Sequence, residues 1–212
     1  MNMKSLLLIL MAMLSLCSCG AKQPEKQSAK PNAEKSIVIY FSHAGDNYSV
    51  GIIKEGNTKL VADMICSQTG ADRLEIVCNK NYDLPYGELI EVAKKEQKDC
   101  ELPAYTLILN DKKVDGKVDL SAYKTAYIGG PVWWGTYPQV MFTFFKDYDL
   151  NDMNIIPFTT HEGSGLGSCA NDLKKVYPEA TFGNSFSIYG HEVRTEEGKK
   201  NVEKWLNSRM RL

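Results

Sequence analysis

The chain has 212 residues, 43% of them apolar, and its 25 basic and 26 acidic side chains leave a formal charge of −1. That balance argues against a nucleic-acid binder held by a basic face and against a disordered acidic chain. The apolar content is enough for one substantial core.

Residues 1–4 carry one positive side chain, Lys4, and the apolar run from Leu6 to Leu14 follows. It is shorter than the roughly 20 residues that span a bilayer, so it reads as a secretory signal. Leu16-Cys17-Ser18-Cys19-Gly20 then resembles a bacterial lipobox, with small Ser18 before Cys19, the expected lipidation site. Bulky Leu16 makes Cys17 the poorer candidate. The alternative is an ordinary cleaved signal with incidental cysteines, and the two differ in whether the mature protein is tethered or free. The expected organisation is a signal peptide over 1–19, a flexible tether over 20–35 without a large apolar side chain, and one domain over 36–212. Cys66, Cys78, Cys100 and Cys169 form no Cys-x-x-Cys pair; they allow three complete disulfide pairings or none.

Ser36-Ile37-Val38-Ile39-Tyr40-Phe41 is a continuous apolar run, as expected of a central strand buried on both faces. Asn57-Thr58 opens a helix with Leu60, Val61, Met64 and Ile65 on one face, stopped by Gly70, and residues 74–77 form a second strand. A helix follows with Leu89, Ile90 and Ala93 inward and a Lys/Glu-rich outer face. Residues 105–110 read as a short extra strand and 111–117 as an exposed turn. The third main strand is 125–129, and Pro138 suits the first turn of its helix. Residues 154–159 are a fourth strand, followed by a helix with the stripe Leu166, Cys169, Leu173 and Val176. Residues 181–189 are a fifth strand, and Thr195 caps a last helix that turns Val202, Trp205 and Leu206 inward. Strands alternating with helices predict an α/β, three-layer, doubly wound five-stranded parallel sheet of order 2-1-3-4-5.

In that order the loops after strands one, three and four meet at one crevice. The first, Ser42-His43-Ala44-Gly45-Asp46-Asn47-Tyr48, offers hydroxyls and backbone N–H groups suited to a phosphate at a helix N-terminus. It is neither Walker A nor the Gly-x-Gly-x-x-Gly fingerprint. The second holds adjacent Trp133 and Trp134 between Gly130-Pro131 and Gly135. Both rings cannot point into the core, so one is expected to meet a flat ligand. The third is Thr159-Thr160-His161-Glu162-Gly163-Ser164-Gly165-Leu166-Gly167. The three histidines, His43, His161 and His191, follow strands on this edge but form no recognisable metal-ligand pair.

Tyr40-Phe41-Ser42-x-x-Gly45, Gly130-Pro131-x-Trp133-Trp134-Gly135 and Thr160-His161-x-Gly163-Ser164-Gly165 together resemble the flavodoxin-like family, over nearly all of residues 36–206. The resemblance implies flavin mononucleotide (FMN) as cofactor. Ser42, His43, Ala44, Asn47 and Thr58 would lie around its phosphate end. Pro131, Val132, Trp133, Trp134 and Gly135 would line the isoalloxazine, with Trp134 preferred for stacking because Gly135 allows close approach. Thr160, His161, Gly163, Ser164 and Gly167 would close the other side, with His161 as hydrogen-bond or proton donor. The family's phosphate loop runs straight into its helix as Gly-Asn-Thr; here residues 46–55 intervene before Gly56-Asn57-Thr58, which leaves Asn47 and Asn57 as alternative phosphate contacts. Electron-carrier flavodoxins are strongly acidic and this chain is nearly neutral. The expectation is therefore an exported redox protein, passing electrons from a reduced donor to a quinone or other small acceptor on the periplasmic or cell-surface side. A non-enzymatic carrier and a flavin-free binding module are the alternatives.

Overall fold

The structure, a computed structural model, describes residues 34–209. The expected signal, Cys19 and nearly all of the tether lie outside them. β1 (Lys35–Phe41) starts at Lys35, so that residue belongs to the sheet and not to the tether. Ile37, Ile39 and Phe41 enter one core while Val38 and Tyr40 enter the opposite one, and all are buried. That is how a parallel strand covered on both faces behaves.

After β1 the chain makes an antiparallel hairpin, β2 (Gly45–Asn47) and β3 (Gly51–Ile53), separate from the main sheet. It is built from the inserted residues. α1 (Asn57–Thr69) ends at Gly70, whose φ of 70° and N–H to the Cys66 carbonyl (2.9 Å) supply the left-handed stop. β4 (Asp72–Cys78) and α2 (Tyr86–Asp99) follow, then β5 (Tyr105–Leu109) and β6 (Lys112–Val114), then β7 (Tyr123–Pro131) and α3 (Gln139–Asp147). β8 (Asn154–His161), α4 (Cys169–Val176), β9 (Thr181–Phe182), β10 (Phe186–Tyr189) and α5 (Glu196–Arg209) complete the chain order.

The main sheet runs β10-β8-β7-β1-β4-β5-β6, with β9 also on β8. Its parallel strands, β4-β1-β7-β8-β10, have the order 2-1-3-4-5. α1 and α5 cover one face through Val61, Ile65, Val202 and Leu206. α2, α3 and α4 cover the other through Leu89, Val140, Met141, Phe144 and Leu173.

Several expectations shift. Residues 112–114 are not an exposed turn: Asn110 and Asp111, at φ 47° and 65°, form a tight reversal that returns the chain as β6, antiparallel to β5. Asn and Asp tolerate the left-handed region, which favours such hairpin turns. The fifth strand is split, because the stretch joining β9 to β10 is one residue longer than the stretch of β8 it faces. α4 begins at Cys169, so Leu166 sits in the turn before it, and Val176 is partly exposed. One acid of α2 lies on the inward face with Leu89 and Ala93. Glu96, 1% exposed, accepts hydrogen bonds from the Tyr82 hydroxyl and the Lys80 ammonium, both at 2.8 Å. The four described cysteines are unpaired thiols.

Candidate functional site

Parallel strands side by side end at one edge, so the loops after β1, β7 and β8 converge. Together with the hairpin and α2 they enclose a cavity of about 490 Å³. Small-molecule sites occupy about 300–1,000 Å³. The cavity has two chemically distinct ends.

One end is the start of α1. Its N-cap, Gly56, offers no side-chain acceptor, and its first turn carries no acid. The Lys59 N–H is taken by Ser42 Oγ at 3.0 Å. The helix therefore presents the amides of its first residues, Asn57 and Thr58, at the cavity wall. A Cβ on Gly56 would lie 2.2 Å from Ser42 Oγ and 2.5 Å from the His43 carbonyl, so glycine is what lets the β1 loop close over the helix start. Thr58, 1% exposed, shares a 2.7 Å hydrogen bond with Thr160, fastening the first loop's helix to the third loop. Arg194, in the turn before α5, donates to Asn57 Oδ1 and to the Glu55 carbonyl.

The other end is aromatic. Trp134 and Gly135, at φ 50° and 86°, are the central pair of a tight turn closed by the Trp133 N–H on the Thr136 carbonyl (2.8 Å) and its reciprocal (3.2 Å). Left-handed backbone costs an L residue about 1 kcal/mol, here spent at a ligand-binding edge. Trp133 is the inner ring, edge-on to Tyr82 (5.3 Å), Phe41 (5.6 Å) and His43 (5.8 Å). Trp134, 48% exposed, is the outer ring. Its Nε1–H donates to the Ile90 carbonyl at 2.9 Å, and the Lys94 ammonium lies 5.2 Å from its centroid. Tyr48, Val50, Tyr86, Leu89, Ile90 and Ala93 extend this wall. Asp46 Oδ2 accepts the Tyr86 N–H at 2.9 Å, which supplies α2 with the N-terminal acceptor that Pro85 lacks and joins the hairpin to the helix.

Two histidines border the cavity. His161 Nδ1 accepts the Gly163 N–H at 2.9 Å, so its neutral form carries the proton on Nε2. Burial lowers its pKa, against the opposing pull of Glu162 and Glu192. Burial likewise lowers that of His43, opposed by a backbone hydrogen bond to Asp46 and the charges of Asp83 and Asp46. His43 is 8% exposed and its Nε2 has no hydrogen-bond partner among the described residues. Glu162 is oriented by the His191 N–H (2.9 Å) and Nδ1 (2.6 Å).

Of the residues expected at the site, His43, Asn47, Thr58, Pro131, Val132, Trp133, Trp134, Gly135, Thr160, His161 and Ser164 line the cavity. Ser42, Ala44, Gly163 and Gly167 do not. Ser42 Oγ accepts the Lys59 N–H at the start of α1 and keeps its O–H free to donate, and Ala44 is exposed on the outside of its loop. Gly163 folds back onto His161 and lines a separate outer cleft, while a Cβ on Gly167 would lie 2.3 Å from the Gly135 carbonyl, so it packs the second loop against the third. Both candidate asparagines border the cavity; Asn47 Nδ2 is turned onto its own hairpin, at Gly45 O (3.0 Å), and Asn57 stands at the helix start. Leu89, Ile90 and Ala93 of α2 were legible as an apolar face but read as core. Arg194 and Gly190 carried no local signal beyond their place after the fifth strand.

A doubly wound sheet with its cavity where the strand order reverses, between β1 and β7, defines a nucleotide-binding type of α/β protein. Comparison makes the class specific: the model of the flavodoxin family matches residues 35–209, and the chain belongs to that family. A protein of Bacteroides eggerthii assigned as a flavoprotein is 25% identical, with a TM-score of 0.61 over 82% of this chain and 96% of its own. One of Bacteroides uniformis, likewise assigned, is 25% identical with a TM-score of 0.62, covering 82% and 97%. A flavoprotein of Lactobacillus acidophilus, solved in complex with FMN, has a TM-score of 0.56 at 18% identity, covering 82% and 99%. No curated protein matches the chain.

Proposed function

We propose that this chain binds FMN in the cavity described above and passes electrons from a reduced donor to a quinone or other small acceptor. The observation that carries the reading is the cavity's polarity. Helix-end amides and threonine hydroxyls at one end suit a phosphate, and indole and phenol rings at the other suit a flat heteroaromatic. The tight backbone at Gly56 and the unpartnered Nε2 of His43 fit a site shaped for a polar ligand. FMN, when bound, supplies the electron chemistry. The protein's part is to hold the phosphate at Asn57 and Thr58, to wall the ring with Trp133 and Trp134, and to present the His161 Nε2–H as a donor. Neutral imidazole suits that role, since burial disfavours its charged form.

The apolar wall of Tyr48, Tyr86, Leu89 and Ile90 supports an uncharged aromatic acceptor beside the flavin. The near-neutral charge favours a reductase over a low-potential carrier. The signal and Cys19 support an exported protein tethered to a membrane, on its periplasmic or cell-surface side. Titration of the purified chain with FMN tests the first claim: flavin fluorescence is quenched at micromolar protein, and absence of quenching rejects it. Turnover of a reduced nicotinamide with a soluble quinone, without added partner proteins, tests the second; FMN binding without turnover leaves the carrier.

A further inference from the structure

Among the described residues Arg194 is a cation without a salt-bridge partner, and it is bonded to Asn57, which lines the helix-start end of the cavity. Its guanidinium spends its hydrogen bonds on two neutral acceptors, Asn57 Oδ1 and the Glu55 carbonyl, and among the described residues it meets no carboxylate. Arg73, by contrast, is bridged by Asp63 and Asp111. Lys59 is ion-paired with Glu55 and Asp63. Glu162 accepts from the His191 backbone and ring, and its Oε1 stands by Gly190 on the same side as Asn57 Nδ2, so it is the acidic side chain whose field Arg194 offsets at this end. α1 has no acid in its first turn to offset its own positive end.

A guanidinium bonded only to neutral oxygens keeps its full charge, and the helix dipole adds to it with the same sign. The geometry also fixes where that charge acts. Asn57 is buried at the cavity wall, and a Cβ on neighbouring Gly190 would lie 2.3 Å from its Nδ2. The asparagine is thus locked between Gly190 and Arg194, with its Oδ1 turned to the arginine and its amide nitrogen left as a donor.

We propose that Arg194 is the counter-charge for the ligand's phosphate: it orients Asn57, raises the potential at the start of α1, and so selects a phosphorylated flavin over the uncharged flavin nucleoside. This deepens the FMN reading and rests on it. Arg194 acts through Asn57 and through its field, and is a positioning residue.

The test compares FMN with riboflavin, which shares the ring and ribityl chain but lacks the phosphate. Dissociation constants are measured by flavin fluorescence quenching for the full chain and for Arg194→Gln and Arg194→Lys, at low and high sodium chloride. Arg194→Gln is expected to weaken FMN about tenfold while leaving riboflavin within about twofold, because only the dianion feels the lost charge. Arg194→Lys keeps the charge without the planar fork and restores most of the FMN preference. Rising salt weakens FMN binding to the unsubstituted protein more steeply than to Arg194→Gln, and leaves riboflavin unaffected. Equal weakening of both flavins in Arg194→Gln, or an unchanged ratio between them, overturns the proposal. If Arg194→Gln fails to fold, salt-independent FMN binding to the unsubstituted protein overturns it alone. Failure of the unsubstituted protein to bind either flavin rejects the cofactor reading and this proposal with it, a result distinct from an intact FMN site indifferent to Arg194.

Discussion

Replacing Trp134 with alanine separates the ring from the turn that carries it. Alanine pays nearly the same penalty at a φ of 50°, so the backbone strain is left in place and the indole alone is removed. In the free protein the ring is half exposed. What is lost is the Nε1–H bond to Ile90, worth about 1 kcal/mol, and the contact with Lys94, worth about 0.5 kcal/mol. The expected destabilisation is therefore only about 1–2 kcal/mol, read as a lower urea midpoint with unchanged slope. If the ring stacks on the isoalloxazine, FMN affinity falls by a further about 1–3 kcal/mol, by analogy with aromatic stacking on nucleic-acid bases. That is about 5- to 150-fold in Kd, well within reach of a fluorescence titration. Trp134→Phe keeps an aromatic face but loses the Ile90 bond, so it should recover most of the affinity and little of the stability. An unchanged Kd in Trp134→Ala would falsify the stacking role and move it inward to Trp133, whose edge contacts with Phe41 and Tyr82 make it a packing residue first.

Two other perturbations address the support around the site. His43 is held neutral by burial, so its pKa in the folded state lies below the ordinary value of 6.5. The stability this confers is present above about pH 6.5 and is lost as pH falls through the folded-state pKa, because only the unfolded chain binds the proton readily. Urea midpoints should therefore decline between neutral and mildly acidic pH, and His43→Gln should show a shallower decline; identical slopes would remove His43 from the account. Tyr82→Phe deletes the hydroxyl that bonds buried Glu96 and leaves the carboxylate with the Lys80 ammonium. A loss of about 1–3 kcal/mol is expected, and thermal melts matching the parent within error would show that the carboxylate is satisfied without it.

The parallel sheet and the convergence of three loops were legible because they follow from hydrophobic runs and from where strands end. Val38 and Ile39 are both apolar because both faces of β1 are covered, and this can be read from one strand. What escaped depends on contacts between residues distant in sequence. Nothing near Glu96 says that Tyr82 and Lys80 will make its burial tolerable. Nothing near Arg194 says that it will reach back to Asn57, since the two are brought together only when α5 and α1 pack on the same face. The hairpin was visible only as an interruption. Its use, lending Asp46 to the N-terminus of α2, required knowing which helix would lie beside it. Ser42 shows a second use of one loop hydroxyl: its Oγ accepts the Lys59 N–H of the helix it introduces and keeps its own O–H to donate, a pairing that local sequence does not announce.

The two rims of the main sheet bear on how the protein behaves at high concentration. A sheet edge is a row of unpaired amides and carbonyls that invites strands from other molecules. Here one rim is β6, a three-residue strand carrying Lys112 and Lys113, so a second copy approaching it meets like charge and little length to grip. The other rim is broken where β9 gives way to β10, so neither fragment offers more than four residues in register. A sheet this wide thereby offers another copy little backbone to pair with at either rim.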